Sequence, residues 1–308
     1  MQPGPARQQV APRANGETGE SETTGMPAPM QYLRPARLDA ALQALARAPH
    51  RVLAGGTDLY PAHVGRPLPQ PLLDVSAIDE LRRLEVSPDG ALRIGAAVTW
   101  SELARTALPA HCAALAQAAR EIGGMQIQNR GTVGGNLCNA SPAADGIPPL
   151  LALDATVELA SASGARTLPL AQFVLGNRRT ACRPNELLVA VHVPARSQQA
   201  RSVFLKLGHR RYLVISIAMV AVALDFDEAG RVACCGVAVG ACAAAAQRLP
   251  AVEAAVAGAP RGEIVARAES VLDAAAAPLS PIDDVRGTRA YRLDAVRRLL
   301  VRALRELA

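Results

Sequence analysis

A chain of 308 residues and 32.1 kDa, half of them hydrophobic, has room for two modest domains with packed cores. Aromatic residues make up only 3%, which argues against base stacking as a main mode of action. The formal charge of +6 comes almost wholly from arginine, with Lys206 the only lysine, and forms no long basic run before the last helix, so no nucleic-acid partner is expected.

Residues 1–29 are rich in Pro, Gly, Ser, Thr, Gln and Glu without apolar periodicity, the pattern of a disordered tail. Leu38, Leu42 and Leu45 then share one helical face, and Pro49 ends that helix. A short strand from Arg51 to Ala54 runs into Gly55-Gly56, and Leu72 to Val75 reads as another. Pro88-Asp89-Gly90 separates two strand-like runs as a hairpin turn. Thr99 and Glu102 fit a capping box, with helices expected from Trp100 and from His111 to Ile122. A glycine-rich segment from Gly123 to Asp145 interrupts the pattern, and strands resume at Val157–Ala160, Arg166–Leu168 and Leu187–Val193. Pro194 to Ala200 reads as a linker. Beyond it come three strands, Arg201–Leu207, Ile217–Phe226 and Arg231–Val239, followed by helices. The last helix carries Leu293, Val296, Leu300, Leu304 and Leu307 on one face. Its arginines, Arg297, Arg298, Arg302 and Arg305, fit either a solvated face or a docking face for a partner. Strands mixed with helices, then strands followed by helices, imply an α+β fold in both halves.

The cysteines at 112, 138, 182, 234, 235 and 242 include no C-x-x-C pair, and no Cys/His group has metal-site spacing. They read as buried small side chains in a reducing compartment, and no metal is expected. The apolar run from Tyr212 to Leu224 falls short of the ~20 residues of a membrane span. No secretion signal is evident, so a cytoplasmic protein without a membrane span is expected.

Two glycine motifs carry the chemistry. Ala54-Gly55-Gly56-Thr57-Asp58-Leu59 follows a strand directly. Paired glycines let the backbone turn sharply and approach a ligand, and successive amides in such a turn form a concave anion site, suited to a pyrophosphate. An ordinary strand-to-loop turn is the other reading. The second motif runs from Asn129 to Asp145 and includes Thr132-Val133-Gly134-Gly135-Asn136. Short donors and acceptors surround its glycines, and Asp145 is able to accept from ribose or ribityl hydroxyls. A Walker A loop and a G-x-G-x-x-G after a strand are both missing, so a Rossmann domain is not supported.

In this order and separation, the two motifs resemble the FAD-binding medium subunit of molybdenum hydroxylases, the group of xanthine dehydrogenase and the carbon monoxide dehydrogenase flavoproteins. The resemblance extends from about Met30 to the C-terminus, through Asn177-Arg178-Arg179-Thr180, Phe204-Leu205-Lys206 and Asp283-Asp284-Val285-Arg286. It implies a vanillyl-alcohol-oxidase-type (PCMH-type) FAD-binding domain of two subdomains over residues 30–197. A smaller α+β C-terminal domain would occupy 198–308. It also implies that Val52, Leu53, Ala54, Gly55, Gly56, Thr57, Asp58 and Leu59 hold the FAD pyrophosphate. Thr132, Val133, Gly134, Gly135 and Asn136 would form a second loop on the cofactor. Asp145 would be an acidic FAD contact, Ile122 and Leu188 apolar walls, and Lys206 a flavin contact.

By the same resemblance, the chain relays electrons from the [2Fe–2S] clusters of a small subunit to NAD or another acceptor. A molybdopterin-binding large subunit would act on the organic substrate. No catalytic dyad or triad is expected in this chain, because the cofactor supplies the redox chemistry. Leu59 to Val98 contains no cysteine, so the [4Fe–4S] insertion of some relatives is not expected either. Two alternatives stand beside this reading: a free-standing FAD oxidoreductase of the vanillyl-alcohol oxidase type, and a scaffold that has lost its flavin.

Overall fold

The computed structural model describes residues 32–68 and 71–308; the expected tail over 1–29 lies outside them. The chain first builds a small parallel sheet, in the order Tyr32–Leu33, Leu72–Asp74, Arg51–Leu53. The helix Leu38–Arg47 links its first and last strands and buries Ala41 and Leu45. A five-stranded antiparallel sheet follows, in the order Leu84–Val86, Leu92–Gly95, Leu187–Val193, Thr156–Ser161, Gly164–Pro169. Its central strand, Leu187–Val193, is buried at six of seven positions, as expected of a strand covered on both faces.

Helices pack on this sheet. The capping box at Thr99 and Glu102 forms as expected: Glu102 N donates to Thr99 Oγ1 at 3.2 Å, and Thr99 N donates to Glu102 Oε2 at 2.8 Å. The glycine-rich segment differs from expectation. It is not a continuous loop, because Val133–Asn139 is helical, with the Thr132 hydroxyl accepting from Gly135 N at 3.0 Å. That cap offsets the low helix propensity of two adjacent glycines. Ile147–Ala152 is also helical and wholly buried; its prolines fall in the first turn, where a missing N–H costs nothing.

The C-terminal part is an antiparallel sheet in the order Arg201–Leu207, Ala218–Phe226, Val232–Gly240, Gln247–Arg248. The first three strands begin and end within one residue of the expected bounds. Helices Pro250–Val256, Ile264–Glu269 and Arg289–Leu307 help cover one face of this sheet. The other face joins the first core: Phe204, Met219, Ala221 and Ala238 pack with Trp100, Leu150 and Phe173. Packing therefore continues across the linker. On the last helix, Arg297, Arg298 and Arg305 pair with Asp273, Asp294 and Glu269, which favours a solvated face.

Among the described residues, no helix is long and apolar enough to cross a membrane, and no group of three or more His, Cys, Asp or Glu side chains is placed to hold a metal ion.

Candidate cofactor site

The two glycine motifs, some 75 residues apart in the chain, touch each other in the fold. The Gly55 backbone presses on Arg130 and Gly131 so closely that a Cβ at Gly55 would stand 1.9 Å from the Arg130 carbonyl oxygen. Gly56 has φ +72°, the left-handed region that glycine adopts freely. Trp100 clamps the second motif from below: its amide donates to Gly131 O at 3.1 Å, and its ring abuts Gly146.

Between the motifs lies a cleft of about 430 Å³, within the size range of cofactor pockets. Val52, Leu53, Ala54, Gly55, Gly56, Thr57, Asp58 and Leu59 all line it, as do Thr132, Gly134, Gly135, Asn136, Ile122 and Leu188. Val133, Asp145 and Lys206 do not. Val133 is fully buried in the core. Lys206 Nζ donates to Asp145 Oδ2 at 2.7 Å and to the Glu121 carbonyl at 3.1 Å, while Ser216 Oγ donates to Asp145 Oδ1 at 2.5 Å. This buried group therefore stands behind Ile122, joined to it through the preceding peptide.

The two motifs contribute different chemistry. Among the described residues, no protein acceptor meets the amides of Gly55, Gly56, Thr57 or Asp58. Those donors are left for an anion. The amides of Val133, Gly134 and Gly135 are taken by Val98 O, Ala96 O and Thr132 Oγ1. The second motif thus acts through shape. A Cβ at Gly134 would collide with Ala96, while Gly135 is exposed on the cleft wall. Beside it, Asn136 Oδ1 is buried without a hydrogen-bond partner, a cost that a donor from a bound molecule removes.

Several lining residues carried no assigned role in the sequence reading. Arg51, Arg178 and Arg183 line the cleft and give it positive charge. Arg178 sits in left-handed backbone at φ +56°, and its amide donates to Asn139 O at 3.1 Å. The Asn177-to-Thr180 run was visible as a landmark, but nothing in its spacing showed that it reaches the glycine motifs. Cys182 also lines the wall, and burial pushes its thiol up to about 11. Glu186 is held below the usual carboxylate range, chiefly by Arg166 Nε at 2.7 Å.

Free amides, an unpaired acceptor, guanidinium groups and a backbone cradle fit an extended dinucleotide with a pyrophosphate and hydroxyl groups. The sequence model described as "FAD binding domain in molybdopterin dehydrogenase" matches residues 28–196, and the one described as "CO dehydrogenase flavoprotein C-terminal domain" matches 203–307. The chain belongs to this family. Its cofactor is FAD. The nicotine 6-hydroxylase medium subunit of Paenarthrobacter nicotinovorans is 32% identical over 282 residues, 90% of this chain and 96% of that one. A xanthine dehydrogenase FAD-binding subunit of Escherichia coli O157:H7 is 37% identical over 171 residues, 54% of this chain and 59% of that subunit; the match thus spans less than two thirds of that relative's length. Carbon monoxide dehydrogenase from Hydrogenophaga pseudoflava superposes with a TM-score of 0.81 at 30% identity, covering 91% of this chain and 97% of that one. Family membership and the α+β flavoprotein fold expected from the two motifs are thereby borne out.

Proposed function

We propose that this chain is the electron-relay subunit of a molybdenum hydroxylase complex. It takes electrons from the [2Fe–2S] clusters of a small subunit and passes them to NAD or another acceptor, while a molybdopterin-binding large subunit oxidises the organic substrate. The observation that carries this reading is the cleft itself: unpartnered amides at 55–58 meet a glycine-containing wall at 134–136, and Arg51, Arg178 and Arg183 stand along it.

FAD, when bound, supplies the exchange between single-electron and paired-electron transfer. The chain's own residues bind and orient. Gly55, Gly56, Thr57 and Asp58 present amides to the pyrophosphate, and Arg178 and Arg183 balance its charge. Asn136 Oδ1 accepts from a hydroxyl or amide of the cofactor. Ile122 and Leu188 form apolar walls that exclude water. Asp145 and Lys206 position Ile122 by fixing the Glu121 carbonyl rather than by reaching into the cleft. Residues 30–197 act as the FAD-binding domain, with 198–308 as the smaller domain braced against it. Relatives named as medium or FAD-binding subunits support the complex, and a cytoplasmic location belongs to the same reading.

Trp100 is the only tryptophan and lines the cleft, so its fluorescence reports on occupancy. FAD should quench it with one-to-one stoichiometry, and the bound FAD should be reduced by a dithionite-reduced [2Fe–2S] subunit. No flavin uptake, either alone or in the assembled complex, would favour the scaffold. Uptake, together with oxidation of an organic substrate by this chain alone, would favour the free-standing oxidoreductase.

A further inference from the structure

A second group of reactive side chains lies away from the cleft, where the strand Val232–Gly240 meets the first core. Gly236 packs there so tightly that a Cβ would stand 1.9 Å from the Ala152 carbonyl oxygen. This approach brings Cys234 beside Arg196 and Asp154. Arg196 Nη1 donates to Cys234 Sγ at 2.7 Å, and its Nη2 donates to Asp154. Asp154 also accepts from Arg248 Nη1 at 2.6 Å. The carboxylate is thus shared between two guanidinium groups, and part of the Arg196 fork is left facing sulfur.

Cys234, Arg196, Asp225 and His111 line one small cavity of about 10 Å³, the scale of one water molecule or one peroxide oxygen. His111 is 3% exposed, and its Nε2 meets no hydrogen-bond partner. Burial holds the imidazole below its usual range, Arg196 adds to that effect, and Asp225 and the Pro194 backbone oppose it. A neutral imidazole with one nitrogen engaged at a backbone carbonyl presents a lone pair at the other.

We propose that Cys234 is a hydroperoxide-reactive thiol, with the Arg196 guanidinium held against its sulfur and His111 carrying the displaced proton. A guanidinium N–H aimed at sulfur stabilises the charged nucleophile. The thiolate attacks one oxygen of a hydroperoxide, ROOH; the S–O bond forms as the O–O bond breaks. Sulfur is oxidised from thiol to sulfenic acid, and the peroxide is reduced to ROH, an alcohol or water. The proton lost by the thiol passes through His111 Nε2 to the departing oxygen. Cys235, the next residue on the strand, points to the opposite face of the sheet, so the sulfenic acid has no adjacent thiol on its own face and remains available for trapping. Among the described residues, no other cysteine accepts from a guanidinium. Burial pushes the thiol of Cys112 up to about 12 and those of Cys182 and Cys242 up to about 11, and it raises Cys235 as well.

The test treats the full FAD-loaded chain, freed of reductant, with hydrogen peroxide and dimedone, and follows each cysteine by peptide mass spectrometry. Cys234 should gain the dimedone adduct about tenfold faster than any other cysteine, and Arg196→Gln should slow it about tenfold. Arg196→Lys, which keeps the charge, should recover a substantial part of that rate, and His111→Gln should slow it as well. Labelling of the exposed Cys138 as fast as Cys234 would overturn the proposal, and so would an unchanged Cys234 rate in Arg196→Gln at equal FAD content. If Arg196→Gln does not fold, the ranking of cysteines in the unsubstituted chain and the Arg196→Lys rate decide the matter.

Discussion

The ammonium of Lys206 stands 2.7 Å from the carboxylate of Asp145, with both side chains more than nine-tenths buried. Burial pushes the Asp145 carboxyl up, against the opposing pull of Lys206 and of the Ser216 hydroxyl, so its charged form depends on those two partners. Removing one member of a buried pair leaves an uncompensated group, whereas replacing both with apolar side chains does not. Lys206→Met should therefore destabilise the chain by about 3 kcal/mol in urea unfolding. Lys206→Met combined with Asp145→Leu should cost markedly less than the sum of the two single changes. Additive losses would show that the two side chains act separately.

At the contact between the glycine motifs, a methyl group has no room. Gly55→Ala forces the Arg130 peptide away and disturbs the amides at 55–58. FAD affinity should fall at least about tenfold, roughly 1.4 kcal/mol, read from quenching of Trp100 fluorescence. Wild-type affinity in this variant would remove the first motif from the binding site.

Asn136 offers a test in which stability and binding move in opposite directions. Its buried Oδ1 has no partner, and an unmet acceptor costs about 1–3 kcal/mol. Asn136→Leu should raise the thermal midpoint of the FAD-free chain while weakening FAD binding. A variant that lost stability without FAD would mean that the oxygen has a structural role instead.

Asp284 governs a pH effect at the start of the last helix. It accepts from Arg286 N at 2.8 Å, from Arg286 Nη1 at 2.8 Å and from the buried Arg292 at 2.7 Å. These contacts, led by the Arg286 amide, hold its carboxyl at about 2, below the ordinary value of 3.8. A depressed carboxylate contributes stability above its unfolded value, and that contribution is lost as pH falls towards the folded value. The difference in urea midpoint between the wild type and Asp284→Asn should be full at pH 5, shrink below about pH 4 and be mostly lost by pH 2. A difference that stays constant across this range would refute the assignment.

The sequence showed different elements with different clarity. The strands at 201–207, 218–226 and 232–240 were legible because apolar runs bounded by turn residues fix them locally. The capping box at Thr99 was legible for the same reason, since its donors and acceptors lie three residues apart. The helix Val133–Asn139 was not, because two glycines suppress the helical signal. Only the packing of Gly134 on Ala96 and the Thr132 cap make a helix the stable form there.

By itself, the sequence determined two glycine motifs with small polar neighbours, suited to a pyrophosphate, and their order and separation carried the resemblance that implied the family and FAD. Backbone permissiveness is a local property, and it is written in residue type. Only the tertiary structure decided how the motifs divide the work, with free amides at 55–58 and a shaped wall at 134–136. It also placed Lys206 and Asp145 behind the cleft, brought Arg178 and Arg183 onto its wall, and set Arg196 against Cys234. Each of these depends on strands and helices far apart in the chain meeting in one core, where the partner that satisfies a buried charge or amide is chosen by packing and not by sequence spacing.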